Sequence, residues 1–267
     1  QQKMQKNTFM QYKKKRQISF VEAIREGITQ SLKKDKKLFL MGEGVDDAAS
    51  MWGTIRGISK EFGKKRVLEM PVAENGLIGA AIGCSIAGSK VLVNLQRVEF
   101  SLYAFEQIVN NAAKSLYISR GKHNVPIVIR LVVGRGWGQG PEHAQSMENI
   151  FSSIPGLKVV MPTFPNEAKE LMINSLFDKN PVIFIEHRWL HYSKGEVDKK
   201  FKISKLKSIT KINSGKDITI ISNSINTLIA KRVVDILKLF NITVDLLNLV
   251  NPNPLNLEEV FKSVKKT

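Results

Sequence analysis

Short apolar runs alternate with amphipathic stretches along most of the chain. The runs at 38–41, 126–133 and 181–186 are almost continuously apolar and show no period of two. Such runs are typical of strands that are buried on both faces of a parallel sheet. Between them, apolar residues recur at three- and four-residue spacing, which predicts helices. The pattern therefore predicts an α/β protein built around a parallel sheet.

The first helix is predicted from residue 18 onward. Ser19 is a suitable N-cap, and Glu22 three residues later completes a capping box. Further helices are predicted at 54–62 and 102–119, and a helix rich in small residues is predicted from Gly76 to Ala87.

The same pattern predicts four segments. A basic N-terminal arm covers 1–17, and a first α/β domain covers 18–193. A polar, lysine-rich linker follows at 194–216. A second α/β unit at 217–267 has two predicted strands and two predicted helices, which is few for an independent domain, so we expect it to be incomplete.

Composition excludes several classes of protein. Hydrophobic residues make up 43% and charged residues 24%, as in ordinary globular proteins. No apolar stretch is long enough to span a membrane, and residues 1–17 are too polar for a signal peptide. The single cysteine, Cys84, excludes an internal disulfide and a multi-cysteine metal site, and it favours a reducing, cytoplasmic location.

The formal net charge of +17 raises the alternative of a module that binds polyanions. The basic residues concentrate in three stretches, at 3–16, at 194–216 and at the C-terminus, and few aromatic residues lie among them. A single-strand binder would need such aromatics for base stacking. We therefore expect a solvated lysine-rich surface and neither a nucleic-acid nor a membrane partner.

Glu74 is the strongest catalytic candidate. It follows a predicted strand that ends at Pro71, and its neighbours Met70, Val72 and Ala73 are apolar. Burial among such residues disfavours a charged carboxylate, so we expect its pKa to be raised. A simple helix N-cap is the alternative role for this carboxylate.

His143 is the second candidate. It follows the predicted strand at 126–133 and a loop in which glycines alternate at 134, 136, 138 and 140. This spacing matches neither a dinucleotide-binding fingerprint nor a P-loop. A mobile loop that delivers His143 for acid–base chemistry is the functional interpretation, and a surface histidine is the alternative.

Other polar residues are weaker candidates. Glu43 lies in the loop after the first predicted strand, where it could contribute to a site. We expect structural roles for His123, His187 and His191. The glycines at 76, 79 and 83 do not have nucleotide-binding spacing and are expected to let another helix approach, within the fold or across a subunit interface.

Several motifs in this order are similar to one family. Residues 66–76 read Arg-Val-Leu-Glu-Met-Pro-Val-Ala-Glu-Asn-Gly, and further matches lie at 39–43, 105–114, 142–146, 155–162 and 180–187. Together they resemble the β subunits of the E1 component of thiamine-diphosphate-dependent 2-oxoacid dehydrogenases. The resemblance covers about 18–193, and the segment from 217 is similar to part of the family's transketolase-like C-terminal domain.

The resemblance implies a function and a set of site residues. The first domain would bind the aminopyrimidine ring of thiamine diphosphate, and Glu74 would hydrogen-bond its N1′ atom and promote the imino tautomer that activates the cofactor. Val72, Gln96 and Phe100 occupy cofactor-contacting positions of the family. His143 matches its active-site histidine. Arg97 and Glu99 depart from the residues common there, and we expect them to pair with each other or with a partner.

The family also holds Mg²⁺ and the diphosphate with a Gly-Asp-Gly motif, which does not occur in this sequence. The resemblance therefore implies that an α subunit supplies this half of the site in an α2β2 tetramer, and that this chain supplies no metal ligand. A 2-oxo acid, with pyruvate expected, would be decarboxylated oxidatively and its acyl group passed to a lipoyl acyltransferase, E2. Two alternatives remain: the pyrimidine-binding half of a split transketolase and a non-catalytic scaffold.

Overall fold

The computed structural model describes residues 16–50, 52–204 and 207–267. Nearly all of the predicted basic arm lies outside these residues. The strands are β1 (Gln17–Ser19), β2 (Leu38–Gly42), β3 (Val67–Glu69), β4 (Lys90–Arg97), β5 (Ile127–Val133), β6 (Lys158–Val160), β7 (Val182–His187), β8 (Lys194–Glu196), β9 (Ile209–Asn213), β10 (Ile218–Ser222) and β11 (Val244–Leu249). The α-helices are α1 (Phe20–Lys34), α2 (Ile58–Phe62), α3 (Glu74–Ile86), α4 (Ser115–Ile118), α5 (Glu148–Ser152), α6 (Pro165–Leu176), α7 (Ser224–Leu237) and α8 (Glu258–Val264).

The main sheet has six strands in the order β3-β2-β4-β5-β7-β6. Every neighbouring pair in it is parallel, which confirms the predicted fold class. Because the strands are parallel, their carboxyl ends lie along one edge, where ligands bind in open α/β sheets.

Helices cover both faces of this sheet. On β4, Val91 and Val93 pack with α3 and the helical segment that follows β4, whereas Leu92 packs with α1 and α6. Every residue of β5 is buried. Two-sided burial explains why the strands appear in the sequence as continuous apolar runs.

The first helix forms as predicted. The Ser19 side chain accepts a hydrogen bond from the Glu22 amide at 3.2 Å, and the Glu22 carboxylate accepts one from the Ser19 amide at 2.7 Å. This reciprocal pair satisfies two amides that the first turn of a helix leaves unbonded.

Two predicted helices differ from the structure. Only Ile58–Phe62 of the predicted 54–62 helix is α-helical, because Gly57 before it has a left-handed backbone conformation (φ 78°). The predicted long helix at 102–119 is a 3₁₀-helix at Val98–Ala104, a π-helix at Gln107–Ala112 and then α4. At the end of the π-helix the Ala113 amide donates to the Ile108 carbonyl, five residues earlier.

The predicted linker contains two strands. β8 pairs antiparallel with β1, and β9 pairs antiparallel with β11, which also pairs in parallel with β10. The pattern did not predict these strands within the 194–216 linker, because short strands rich in lysine give no apolar run. The division of the chain into domains stays a prediction.

Polar contacts join the sheet β10-β11-β9 to α6 and to the segment before it. Thr163 donates to the Asn248 side chain at 3.0 Å, and Thr210 donates to the Glu167 carboxylate at 2.9 Å. Burial raises the pKa of Glu167 although its carboxylate accepts hydrogen bonds from the Thr210 side chain and from the amides of Thr163 and Phe164. None of the helices in the described residues has both the length and the apolar character of a bilayer span.

Candidate active site

The loop after β2 is held at the carboxyl edge of the sheet by Glu69, the last residue of β3. The Glu69 carboxylate accepts hydrogen bonds from the amides of Gly44 at 2.8 Å, Val45 at 2.7 Å and Asp46 at 3.3 Å. Gly42 is required at the end of β2, since a Cβ there would lie 2.2 Å from the Asn94 carbonyl oxygen. This arrangement fixes the position of Glu43.

Glu43 is buried beneath this loop, with 9% of its surface exposed. Its carbonyl accepts hydrogen bonds from the Asn94 side chain at 3.2 Å and the Gln96 side chain at 2.9 Å. Its carboxylate atom Oε1 is buried without a hydrogen-bond partner. Burial, and then the charges of Glu74 and Glu69, raise the pKa of Glu43 to about 7. The sequence indicates Glu43 as a weaker candidate from its place after a buried strand, and its part in the site stays a prediction.

Replacing this buried carboxyl should stabilise the protein at alkaline pH. Because the folded state raises the pKa of Glu43, wild-type stability falls as the pH rises from about 4.5 to about 7. We expect Glu43→Gln to raise the Tm at pH 8 and to change it little at pH 4. Thermal unfolding at both pH values measures this, with Asp46→Asn, at an exposed position of the same loop, as control. An equal shift at both pH values would contradict the explanation.

Glu74 is the first residue of α3 and is 7% exposed. Ala73 is the N-cap, and no side chain caps the helix, so the simple N-cap alternative for Glu74 is wrong. No hydrogen bond reaches the Glu74 carboxylate from the described part of the chain, and its charge acts on Glu43. A carboxylate at the amino end of a helix is favoured by the helix dipole, and this one is available to a ligand.

Gln96 lies in a distorted part of β4. Its φ of 63° is left-handed, and the pairing with β5 shifts register between Asn94 and Arg97. Such a backbone is costly for a non-glycine residue and is found most often at functional sites. The amide oxygen of Gln96 is buried without a partner. Val72, in contrast, is 80% exposed.

His143 forms a close pair with Glu99. Its Nδ1 atom lies 2.5 Å from Oε1 of Glu99, which is 5% exposed. The Phe100 ring meets the imidazole edge-on, with centroids 5.8 Å apart. The structure thus brings together Phe100 and His143, which the resemblance places at the site. Sequence reasoning did not pair His143 with Glu99, which lies 44 residues away in the chain.

Trp137 anchors the glycine-rich loop. Its indole nitrogen donates to the His143 carbonyl at 3.0 Å, and its ring stacks on Trp52 with centroids 5.6 Å apart. Arg97 lies 5.5 Å above the Trp137 ring, so Arg97 and Glu99 do not pair with each other as one expectation held. The loop that the sequence predicts to be mobile is thus held in place by the contacts of Trp137 in its middle.

The floor of the site is a buried ionic cluster. Arg130 on β5 donates to the Asn94 side chain at 2.6 Å and to the Glu186 carboxylate on β7. His191 is fully buried, and its Nε2 atom lies 3.4 Å from Glu186. Through Asn94, this cluster supports the carbonyl of Glu43.

His187, at the end of β7, has the structural character that the sequence predicted. Its Nδ1 atom accepts a hydrogen bond from the Trp189 amide at 3.2 Å. Burial, together with the charge of His191, lowers the pKa of His187 to about 4. The imidazole is therefore neutral at neutral pH. Within the described residues, no group of three or more histidine, cysteine, aspartate or glutamate side chains could hold a metal ion.

Comparisons with known proteins show the family of the chain and its fold. Residues 16–192 match the family model described as "Transketolase, pyrimidine binding domain". The chain is 34% identical over 251 residues to the pyruvate dehydrogenase E1 component subunit beta of Rickettsia bellii, covering 94% of this chain and 77% of that protein. It is 33% identical over 261 residues to the beta subunit of acetoin:2,6-dichlorophenolindophenol oxidoreductase of Cupriavidus necator, with the same coverage.

A solved structure shares the fold. It is described as a split gene transketolase, inactive beta4 tetramer, and it superposes with a TM-score of 0.72 over 94% of this chain and 77% of that one. The sequence identity is 19%, so this likeness supports the architecture alone.

Proposed function

Because the chain belongs to the transketolase pyrimidine-binding family and, within it, to the E1 β subunits of thiamine-diphosphate-dependent 2-oxoacid dehydrogenases, we propose that it forms the pyrimidine half of the active site in an α2β2 enzyme. The proposed reaction is the oxidative decarboxylation of a 2-oxo acid, pyruvate first among the candidates. The acyl group passes to a lipoyl acyltransferase, E2.

The buried Glu74 carboxylate carries this proposal. Burying a charged group without a hydrogen bond is costly, so a ligand that supplies a donor there is favoured. Gln96 presents a buried amide oxygen that accepts no hydrogen bond from the described residues. An aminopyrimidine ring offers both an amino group and a ring nitrogen that can share a proton, and its faces are apolar enough to lie against Phe100. The residues present therefore fit this half of thiamine diphosphate.

Each residue has a defined task in the proposed site. When bound, thiamine diphosphate supplies the carbanion chemistry that decarboxylation requires. Glu74 holds a proton at its carboxylate and shares it with the ring nitrogen, Gln96 and Phe100 orient the ring, and Val72 contacts it at the rim. His143, next to Phe100, accepts protons from the substrate and donates protons to it.

The diphosphate and Mg²⁺ are proposed to bind on the α subunit. Mg²⁺ requires oxygen ligands in near-octahedral geometry. This chain has no Gly-Asp-Gly motif. The isolated chain is therefore expected to bind thiamine diphosphate weakly and to be inactive.

Calorimetry of thiamine diphosphate and Mg²⁺ binding tests the proposal. The chain is titrated alone and then together with an E1 α subunit encoded beside it, and 2-oxo-acid-dependent dye reduction is measured in the same samples. Binding and turnover only in the mixture would support the proposal. A folded mixture without either would overturn it and would leave a split transketolase or a scaffold.

The outer face of α3 is proposed to be a subunit contact. Gly76 and Gly83 are exposed, and a Cβ at either position would meet nothing within 4 Å in this chain. Glycine inside a helix costs about 0.5–1 kcal/mol relative to alanine. Space alone therefore does not explain these residues, whereas close approach of a second chain would.

Substitution at Gly83 should separate folding from assembly. We expect Gly83→Ala to stabilise the isolated chain by about 0.5–1 kcal/mol, and Gly83→Leu to weaken association with the α subunit at least tenfold without unfolding the chain. Urea unfolding and analytical ultracentrifugation measure the two effects. Gly57→Leu is no suitable control because of its positive φ, so Ser59→Leu on α2 serves instead. Unchanged association of Gly83→Leu would place the contact elsewhere.

A further inference from the structure

We propose that Glu99 is a positioning residue for His143: it holds the neutral imidazole with its proton on Nδ1 and leaves the Nε2 lone pair for the reaction. The catalytic use of this arrangement rests on the proposed function. The pair itself is a property of this chain.

Burial and geometry fix the acceptor. Glu99 lies in the first turn of the 3₁₀-helix after β4, between Val98 and Phe100, and Val98 is fully buried. In the part of the chain that the structure describes, the Glu99 carboxylate has one hydrogen-bond partner, the Nδ1 atom of His143. A buried carboxylate needs such a partner because its desolvation is otherwise uncompensated.

The chemistry of this pair fixes the tautomer. An ionised carboxylate can only accept hydrogen bonds, so Nδ1 must carry the hydrogen that is shared at 2.5 Å. The other ring nitrogen, Nε2, then has a free lone pair whenever the ring is neutral. No described residue hydrogen-bonds Nε2, and about a quarter of the side chain, 28%, is exposed.

Neighbouring groups fix the direction of the ring. Phe100 lies edge-on to the imidazole at 5.8 Å, and Trp137 holds the His143 carbonyl. Arg97, two residues before Glu99 in the sequence, lies over the Trp137 ring instead. Glu99 is therefore available to His143.

The arrangement suits a base that must become an acid. When Nε2 takes a proton from a reacting group, the ring becomes a cation while the Nδ1 hydrogen stays in place. The adjacent Glu99 charge stabilises that cation, and the proton on Nε2 can then be returned in a later step. Without Glu99, His143 would carry its hydrogen on Nε2 in a fraction of the molecules, and in those molecules Nε2 could not accept a proton.

Nitrogen-15 NMR of histidine-labelled chain tests the tautomer directly. His143→Gln identifies the resonances, and the spectra are recorded at a pH where the ring is neutral. We expect the wild type to show a protonated Nδ1 and an unprotonated Nε2. Glu99→Gln should shift the population toward Nε2–H, and Glu99→Asp should restore the wild-type tautomer at least in part. A wild-type ring protonated on Nε2, or no change in Glu99→Gln, would overturn the proposal.

Glu142→Gln is the matched control. Glu142 precedes His143 and is exposed, so this change removes a neighbouring charge without touching the pair. Glu142→Gln should leave the His143 tautomer unchanged. A change in tautomer population as large as that of Glu99→Gln would overturn the proposal, because loss of any nearby negative charge would then explain it.

Kinetics of the assembled enzyme test the catalytic part. Glu99→Gln should lower kcat about 10²–10⁴-fold, the range of general acid–base catalysis, with KM nearly unchanged, and Glu99→Asp should recover part of the loss. Unchanged kcat in Glu99→Gln would overturn the positioning role. Because the NMR measurement needs no turnover, failure of the proposed function would not be mistaken for failure of the pair.

Discussion

Glu74→Gln is expected to abolish most 2-oxo acid turnover while leaving the fold intact. Glutamine has the same shape and can still hydrogen-bond, but it cannot hold and share a proton as a carboxyl group does. General acid–base groups contribute about 10²–10⁴-fold to rates, so we expect kcat of the assembled enzyme to fall by at least that range. Steady-state dye reduction with saturating thiamine diphosphate measures the loss.

A second consequence of Glu74→Gln needs no catalysis. The charge of Glu74 is, after burial, the largest cause of the raised pKa of Glu43. Removing that charge should lower the pKa of Glu43 from about 7, while burial keeps it above its ordinary value. Carbon-13 NMR of labelled glutamate in the chain follows this titration. An unchanged Glu43 titration would contradict the electrostatic description of the site.

Glu61→Gln is the control for both measurements. Glu61 is an exposed carboxylate on α2, and it forms an ion pair with Lys33 at 2.7 Å. Its loss should change neither kcat nor the Glu43 titration. If Glu74→Gln retained wild-type turnover in a properly assembled tetramer, the assignment of Glu74 as the proton-sharing residue would fail.

Local signals in the sequence were sufficient for much of the fold. The continuous apolar runs predicted the central parallel strands because two-sided burial removes the need for polar positions. The Ser19–Glu22 capping box predicted the start of α1, since both partners lie within one helical turn. Glu74 was likewise proposed from its own neighbours, the proline-terminated strand and the turn into α3, and its role in the site stays a prediction.

Features that depend on distant partners were not predictable in this way. β9 is a short polar strand whose pairing with β11 has no signature in its own residues. The π-helix at Gln107–Ala112 is followed by Ala113, whose carbonyl lies so close to Gly156 that a Cβ on Gly156 would be 2.0 Å from the oxygen. The Glu99–His143 pair joins the 3₁₀-helix after β4 to the glycine-rich loop, and the residues of neither segment predict contact with the other.

Arg130, in the core, is another residue whose partner could not be predicted from its neighbours in the sequence. It interrupts the apolar run of β5, and the sequence gives no reason for a charge there. In the structure it is 1% exposed and donates to the fully buried Glu186 on the neighbouring strand. A buried charge is tolerated only when it is paired and hydrogen-bonded, and the pairing requires the parallel register of β5 with β7.

Breaking this pair should destabilise the chain strongly. Arg130→Met leaves the Glu186 carboxylate buried without its cation, and such a loss costs about 3–5 kcal/mol. It also removes the donor to the Asn94 side chain. The double change Arg130→Met with Glu186→Leu should recover much of the loss, because no uncompensated charge remains. Urea unfolding at pH 7 measures the free energy of unfolding of each variant.

An exposed ion pair provides the comparison. Lys33 and Glu61 lie on the surface, with 61% and 44% of their side chains exposed. Lys33→Met should cost only about 0–1 kcal/mol, as exposed pairs do. If Arg130→Met cost no more than this, the buried pair would have no special part in the stability of the sheet.

The pH dependence should distinguish an unpaired charge from a simple packing defect. In the wild type, burial works to raise the pKa of Glu186, but Arg130 and His191 outweigh it and hold that pKa below its ordinary value. The pair therefore stabilises the protein above about pH 4.5 and loses its contribution as the pH falls further. In Arg130→Met the largest lowering influence is gone, so burial raises the pKa and the folded state takes up a proton instead. The cost of Arg130→Met should thus be greatest at neutral pH and should shrink toward pH 5, whereas a packing defect would cost the same at both.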